Sequence, residues 1–144
     1  MKTAEQNTDL LYIEDNEDYI NFVGLALRDV DNNISYGYVT DGLEADALLE
    51  GNDTKGSYSN TKLILLDYNL PGMNGIQLLQ RIRNQHSLKH TPVVMFSSSD
   101  DPQDIKKAYD NGANAYIIKP VGLKNLTNTI KTMCDFWIHK NQFC

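Results

Sequence analysis

The chain has 144 residues, of which 41% are hydrophobic and 22% are charged, and its formal net charge is −6. This length and balance are typical of one globular domain, and we expect a single domain over residues 1–144 with a core over about 8–140. The negative net charge argues against nucleic acid binding, which needs a basic surface. No apolar run approaches the ~20 residues that span a bilayer and no secretory signal pattern opens the chain, so we expect a cytoplasmic protein without a membrane segment.

The cysteines and histidines indicate neither a disulfide framework nor a metal site. The two cysteines, Cys134 and Cys144, both lie in the last segment, which predicts two reduced thiols in a reducing compartment. The three histidines, His86, His90 and His139, are scattered and lack the spacing of metal ligands.

Short apolar runs alternate with helical patterns five times along the chain. The runs that predict strands are Leu10–Ile13, Ile34–Thr40, Leu63–Leu66, Pro92–Phe96 and Ala115–Ile118. The helices are expected to begin at about Asp18, Asp41, Asn74, Asp101 and Leu123. Strands that alternate with helices predict an α/β fold, in which a five-stranded parallel sheet is doubly wound by right-handed crossovers.

The run Leu63–Leu66 is the segment around which the others are organised. It has no polar alternation, which is typical of a strand covered on both faces, and it ends abruptly in Asp67. The following segment Asn69–Gly75 has turn chemistry, because Pro71 fixes φ and Gly72 permits a positive φ. Asp67 is therefore expected at the carboxyl end of a central strand, where open α/β sheets place their ligand crevice.

Four of the five apolar runs end in a polar group of functional type. The first run ends in Glu14 and Asp15, the third in Asp67, the fourth in Ser97 and the fifth in Lys119. Because the carboxyl ends of parallel strands lie at one edge of the sheet, we expect these groups to converge. Three carboxylates in one place raise one another's pKa, and a hard divalent cation such as Mg²⁺ removes that cost.

This set of groups favours phosphoryl chemistry. A carboxylate such as Asp67 can act as a nucleophile and form an acyl phosphate. The metal ion and the Lys119 ammonium would neutralise charge on the transferring group, which is most of what such catalysis requires. The Ser97 hydroxyl could then donate a hydrogen bond to a phosphoryl oxygen and move as it does so.

The pattern resembles the receiver domain of two-component response regulators, a flavodoxin-like fold, and within that family the single-domain chemotaxis-type regulators. The resemblance covers nearly the whole chain. Its motifs are Glu14–Asp15, the block Asp67–Gly75, Ser97–Ser98, Tyr116 and Lys119–Pro120.

The resemblance implies a phosphoacceptor and a magnesium site. It implies that Asp67 accepts a phosphoryl group from the phosphohistidine of a sensor histidine kinase or phosphotransfer protein. It also implies that Asp15, Asp67 and the backbone carbonyl of Asn69 bind Mg²⁺ directly, whereas Glu14 acts largely through water. Beyond self-phosphorylation from small donors and autodephosphorylation, no enzymatic activity is implied.

The resemblance further implies a switch at the ends of the last two strands. Ser97 is the switch hydroxyl, and Tyr116 is the aromatic residue that swings inward with it. From the residues alone, a partly buried strand aromatic is an almost equally good interpretation of Tyr116. Lys119 is implied to contact the phosphoryl group, and the Lys119–Pro120 bond is expected to be cis.

Three features depart from the commoner family pattern. Glu14 stands where Asp is more frequent, and Ser97 stands where Thr is frequent. The segment Gly51–Thr61 is expected to form a surface loop longer than in the shortest family members, which resembles the regulators that partner bacterial phytochromes.

The function that follows is a stand-alone regulator that signals by phosphorylation-dependent binding to an unknown downstream protein. An apolar C-terminal group either packs the core or forms a homodimer or partner surface on the last two helices; it consists of Phe136, Trp137, Ile138 and Phe143. Three alternatives stay open. One is an aspartyl-nucleophile phosphohydrolase, which usually has an Asp where this chain has Asn69. The others are a flavodoxin-like cofactor binder, which the acidic segment Glu14–Asp18 disfavours, and a docking module that works without phosphorylation.

Overall fold

The computed structural model describes residues 2–3, 8–50 and 60–143, and its described strands form one parallel sheet. The strands are β1 Lys2–Thr3, β2 Leu10–Ile13, β3 Tyr36–Val39, β4 Leu63–Leu66, β5 Val93–Ser97 and β6 Ala115–Ile118. Their order across the sheet is β1-β3-β2-β4-β5-β6, and every neighbouring pair is parallel. The five predicted strands are confirmed as β2 to β6, and the two-residue β1 extends the edge beside β3.

The first four helices connect β2 to β6 in succession, the fifth follows β6, and together they cover both faces of the sheet. They are α1 Glu17–Val30, α2 Gly42–Leu49, α3 Gly75–Asn84, α4 Pro102–Asp110 and α5 Leu123–Cys134, with a 3₁₀ turn at His86–Leu88 and a π-helical turn at Asp135–Lys140. One buried cluster joins the sheet to α1 and α5, and a second joins its other face to α2, α3 and α4. This is the doubly wound α/β architecture that the sequence predicts.

Side-chain caps fix where four of these helices begin. The Asn16 side chain accepts the Asp18 amide at 2.9 Å, and the Asp41 side chain accepts the Leu43 amide at 2.8 Å. The residues before α3 and α4, Asn74 and Asp101, cap those helices in the same way, and Asn74 forms a reciprocal capping box. Each cap satisfies backbone donors that the first helical turn leaves unpaired, so each helix starts directly after a strand-end loop.

The central strands are buried on both faces. All residues of β2, β4 and β5 are buried, which agrees with their unbroken apolar sequence. Alternation along β2 places Leu10 and Tyr12 in the cluster with α1 and α5, whereas Leu11 and Ile13 belong to the opposite cluster. The sheet order reverses at β2, so the carboxyl ends of β2 and β4 flank the crevice that such a reversal creates.

The predicted cis peptide at Lys119–Pro120 is wrong for this structure, because the described residues contain no cis peptide bond. The trans form is the more stable one for an X–Pro bond by about 0.5–1 kcal/mol. In the trans arrangement the Lys119 amide donates to the Ser97 carbonyl at 2.7 Å, which fixes the start of the loop after β6.

Some sequence predictions fall outside the described residues. Residues 51–59 of the predicted surface loop and Cys144 are among them. Cys134 is a free, buried cysteine. Within the described ranges, no helix combines the length and apolar character needed to cross a bilayer.

Candidate functional site

Polar groups from four strand ends lie at the carboxyl edge of the sheet. Parallel pairing aligns Ile13 with Leu66, and it aligns Ser97 with Ile118. The residues that follow these aligned ends therefore lie side by side. They are Glu14 and Asp15 after β2, Asp67 after β4 and Lys119 after β6, and Ser97 is the last residue of β5.

Glu14, Asp15 and Asp67 form an acidic cluster in which one carboxylate oxygen of each lies within 4.8 Å of the other two. Glu14 and Asp67 are buried, with 1% and 6% of their surface exposed, whereas Asp15 is exposed. Carboxylate oxygens are the ligands that Mg²⁺ and other hard divalent cations prefer. The cluster therefore fits a divalent cation that is reached from the solvent side of Asp15.

Lys119 supplies the cation of the described site. Its ammonium contacts Glu14 Oε1 directly and lies 3.6 Å from Asp67 Oδ1. The same ammonium lies 4.3 Å from the centroid of the Tyr19 ring, a cation–π arrangement. The Lys119 side chain is only 5% exposed, so its charge is poorly screened by water.

The cluster changes how its acids ionise. Burial raises the pKa of Asp67 to about 7, and the negative charge of Glu14 acts in the same direction while Lys119 opposes it. Burial and the neighbouring Glu14 also raise the pKa of Asp15. Since one ammonium faces three acids, the site accommodates further positive charge.

The backbone around Asp67 holds its carboxylate in place. The Asp67 amide donates to the Ile13 carbonyl at 3.0 Å, and the Tyr68 amide donates to Asp67 Oδ1 at 2.9 Å. The Gly75 amide closes the turn by donating to the Tyr68 carbonyl at 2.9 Å. A Cβ atom on Gly75 would lie 2.3 Å from the Asp67 carbonyl oxygen, so this turn requires glycine.

Ser97 and Tyr116 are linked through Ser99. Ser97 is fully buried, and its hydroxyl oxygen accepts the Ser99 amide at 3.2 Å. The Tyr116 hydroxyl donates to the Ser99 carbonyl at 2.9 Å. The Ser99 hydroxyl in turn donates to Asp104 at 2.6 Å, at the start of α4. This chain of bonds connects the end of β5 to β6 and α4.

The predicted metal ligand Asn69 lies exposed in the turn two residues after Asp67. Its predicted role, through the backbone carbonyl, stays a prediction. Two tyrosines that were not predicted also contact the site, namely Tyr12 through Glu14 and Tyr19 through Lys119. The signal for Tyr12 was its position two residues before Glu14 on a strand, which places both side chains on one face.

The fold and site together define a class of protein. A doubly wound parallel sheet carries a buried carboxylate at its switch point, beside an ammonium and an acidic cluster that fits a divalent cation. Such an arrangement is suited to accepting a phosphoryl group on a carboxylate.

Comparison with known proteins identifies the family. Residues 10–131 match the family model described as the response regulator receiver domain. The chain is 35% identical over 115 residues to the chemotaxis protein CheY-3 of Vibrio cholerae, an alignment that covers 80% of this chain and 82% of that protein. The chain belongs to the response regulator receiver family. This membership confirms the resemblance on which the sequence prediction rests.

Two solved structures are similar over nearly the whole chain. One is the phosphorylated cyanobacterial phytochrome response regulator RcpA, with a TM-score of 0.86 and 33% identity over 97% of this chain and 99% of that one. The other is the Mn²⁺-bound form of the response regulator Rcp1, with a TM-score of 0.82 and 29% identity over 94% of this chain and 97% of that one. The chain is thus a two-component signalling domain of the kind that is phosphorylated on aspartate and interacts with histidine kinases or phosphotransfer proteins.

Proposed function

We propose that Asp67 is the phosphoacceptor of this receiver domain and that the donor is the phosphohistidine of a sensor histidine kinase or phosphotransfer protein. The observation that carries the proposal is the position of Lys119, whose ammonium lies 3.6 Å from Asp67 Oδ1 in a buried setting. In the reaction, a carboxylate oxygen of Asp67 bonds to phosphorus as the donor P–N bond breaks, and the leaving imidazole nitrogen takes up a proton. The product is an acyl phosphate on Asp67.

Lys119 neutralises charge during this transfer. In the unphosphorylated protein its ammonium contacts Glu14 and lies near Asp67. A phosphoryl group on Asp67 brings additional negative charge to the same side of the ammonium, so Lys119 shifts its contact from Glu14 toward a phosphoryl oxygen. Electrostatic stabilisation of this kind supplies most of the catalysis in phosphoryl transfer.

The cofactor in this proposal is Mg²⁺. Asp15, Asp67 and the backbone carbonyl of Asn69 would bind it directly, and Glu14 would bind through water. Support comes from the three carboxylate oxygens within 4.8 Å of one another and from the Mn²⁺ that is bound in the similar structure of Rcp1. When bound, the ion supplies positive charge that offsets the carboxylates and the transferring phosphoryl group.

The switch in this proposal runs from Ser97 to Tyr116. When the Ser97 hydroxyl turns to donate to a phosphoryl oxygen, the Ser99 amide loses the acceptor that now holds it at 3.2 Å. Ser99 then shifts, and with it the carbonyl that accepts the Tyr116 hydroxyl. Phosphorylation at one strand end thereby changes the surface formed by β6 and α4.

The output in this proposal is protein–protein binding, and the location is the cytoplasm. Apolar side chains at and after β6 are exposed, with Ile118 at 45% and Val121 at 89%. Within the predicted apolar C-terminal group, Phe136 is 51% exposed, whereas Ile138 is buried in the core. The group is therefore divided between core and surface. We assign this surface to an unknown downstream protein or to a homodimer through the last two helices.

The test is incubation with a small phosphodonor and Mg²⁺, followed by intact mass spectrometry. The wild-type chain is expected to gain one phosphoryl group, whereas Asp67→Asn is expected to gain none. The control is Asp18→Asn, which replaces an exposed acid of α1 and is expected to gain one phosphoryl group like the wild type. No gain in the wild-type chain, or an equal gain in Asp67→Asn, would contradict the proposal. Steady release of phosphate from monoesters would instead favour the phosphohydrolase alternative.

A further inference from the structure

We propose that Tyr12 is a positioning residue that holds the Glu14 carboxylate at the metal and phosphoryl site. The inference rests on the proposed function and adds a residue to it. The Tyr12 hydroxyl donates to Glu14 Oε1 at 3.0 Å, and both groups are buried. The hydroxyl thus connects Tyr12 to the site.

The Tyr12 ring belongs to the core rather than to the site. Tyr12 is fully buried, and its ring centroid lies 6.2 Å from that of Phe96 on β5. The neighbouring positions of β2 are aliphatic, and an aliphatic residue would fill the same core space without a polar atom. A buried tyrosine hydroxyl normally has a hydrogen-bond partner, and here that partner is the carboxylate two residues further along the same face.

Three donors fix the Glu14 carboxylate. Oε1 accepts the Tyr12 hydroxyl and also contacts the Lys119 ammonium, whereas Oε2 accepts the Asn16 amide at 3.3 Å. The two donors on Oε1 differ in kind. Tyr12 is held by the core, whereas Lys119 also faces Asp67 at 3.6 Å and has a second acid to contact.

This difference gives Tyr12 its role. When the Lys119 ammonium turns toward a phosphoryl group on Asp67, Oε1 keeps one fixed donor, the Tyr12 hydroxyl. The carboxylate would then stay in the acidic cluster that would hold the cation, instead of following Lys119. Partners that orient a metal-binding carboxylate commonly change metal affinity by about 10–100-fold, and for a carboxylate that acts through water we expect a weakening of about 5–10-fold.

The experiment is a titration of Mn²⁺ into the metal-free full chain, with free Mn²⁺ measured by electron paramagnetic resonance. Tyr12→Phe keeps the ring in the core and removes only the hydroxyl, and we expect it to bind Mn²⁺ about 5–10-fold more weakly than wild type. Tyr36→Phe is the matched control, because the Tyr36 hydroxyl donates to the Ile20 carbonyl at 2.8 Å and not to an acid of the site. It is expected to bind Mn²⁺ like wild type.

A double-mutant cycle with Glu14→Gln tests whether Tyr12 acts through Glu14. In the Glu14→Gln background, Tyr12→Phe is expected to cause no further change in affinity. If Tyr12→Phe binds like wild type, or if it weakens binding equally in both backgrounds, the inference is wrong. A wild-type chain that binds no Mn²⁺ contradicts the metal site of the proposed function instead.

A measurement on the wild-type chain decides the matter if Tyr12→Phe does not fold. With tyrosine labelled by ¹³C at Cζ, the resonance of Tyr12 is followed by NMR during a titration with Mg²⁺. It is expected to shift and to saturate at the same Mg²⁺ concentration as the binding isotherm, while that of Tyr109, an exposed residue of α4, stays in place. A Tyr12 resonance that does not respond to saturating Mg²⁺ overturns the inference.

Discussion

The Lys119 ammonium lies 3.6 Å from Asp67 Oδ1 while it contacts Glu14, so one cation faces two buried carboxylates. The three side chains are at most 8% exposed. In such a buried setting the ammonium and the two carboxylates stabilise one another, because water contributes little to their solvation. Because Lys119 takes part in both contacts, a phosphoryl group or a divalent cation that binds at this site is expected to change both of them together.

Replacing Lys119 by Met should destabilise the metal-free protein and make its stability depend on Mg²⁺. The substitution keeps most of the apolar stem but leaves two buried carboxylates without their cation, and we expect a loss of about 3 kcal/mol in the free energy of unfolding. Saturating Mg²⁺ should restore part of that loss, because the ion binds the folded protein. Urea unfolding with EDTA and with Mg²⁺ measures both effects.

Lys106→Met is the control for that experiment. The Lys106 ammonium pairs with Asp110 on the surface of α4, where both side chains are mostly exposed. An exposed pair of this kind contributes about 0–1 kcal/mol, and its loss should not respond to Mg²⁺. Equal losses in the two variants would contradict the assigned role of Lys119.

As the pH rises, the free energy of unfolding of the metal-free wild-type protein should fall relative to that of the variant Asp67→Asn. Burial raises the pKa of Asp67 in the folded protein to about 7, above its ordinary value near 4. Between these two values the folded protein binds more protons than the unfolded chain, so the free energy of unfolding falls with increasing pH. Asp67→Asn lacks this titrating group. The free energy of unfolding of Asp67→Asn minus that of the wild type should therefore increase by on the order of 2 kcal/mol from pH 4.5 to pH 8 and then level off.

Chemical denaturation across this pH range, with EDTA throughout, measures the difference between the two proteins. A parallel series with saturating Mg²⁺ should show a smaller increase, because the cation stabilises the ionised form of Asp67 in the wild-type chain. A difference that is constant between pH 4.5 and pH 8 would show that Asp67 does not titrate in this window.

Most of the sheet could be predicted, because a parallel strand that is buried on both faces has an unbroken apolar sequence. The unbroken runs Leu10–Ile13 and Leu63–Leu66 form strands with those bounds, and a polar group follows each of them. The strand predicted over Ile34–Thr40 is shorter at both ends in the structure, where it spans Tyr36–Val39. Apolar periodicity specifies burial well, whereas strand ends depend on which neighbour provides hydrogen bonds.

The features that sequence reasoning missed depend on tertiary contacts. β1 has only two residues, which is too short for a periodic pattern. The trans bond at Lys119–Pro120 contradicts an expectation taken from the family resemblance, because either isomer of an X–Pro bond is accessible and the surrounding fold selects one. Tyr19 reaches the Lys119 ammonium from another part of the chain, which no local pattern indicates.

Cys134 should be inert to thiol reagents in the native protein. It is fully buried, and burial raises the pKa of its thiol to about 12, so the reactive thiolate is scarce at pH 8. In the variant Cys144→Ser we expect no rapid reaction with a chromogenic disulfide at pH 8, and full reaction in 6 M guanidinium chloride. The variant Cys134→Ser keeps Cys144 and measures the reactivity of that thiol separately. Rapid native reaction in Cys144→Ser would contradict the buried position.

Gly75→Ala should displace Asp67 and abolish its phosphorylation, although residue 75 carries no functional group. A Cβ atom at this position would lie 2.3 Å from the Asp67 carbonyl oxygen, so the strand end and its carboxylate must move. We expect a loss of at least 2 kcal/mol in the free energy of unfolding and no phosphoryl gain by intact mass in the fraction that stays folded. Gly122→Ala is the control: its φ is +89° and nothing lies within 4 Å of a Cβ atom, so it should lose about 1 kcal/mol and keep full phosphorylation. If Gly75→Ala gains a phosphoryl group at the wild-type rate, the backbone position of Asp67 is less constrained than this contact implies.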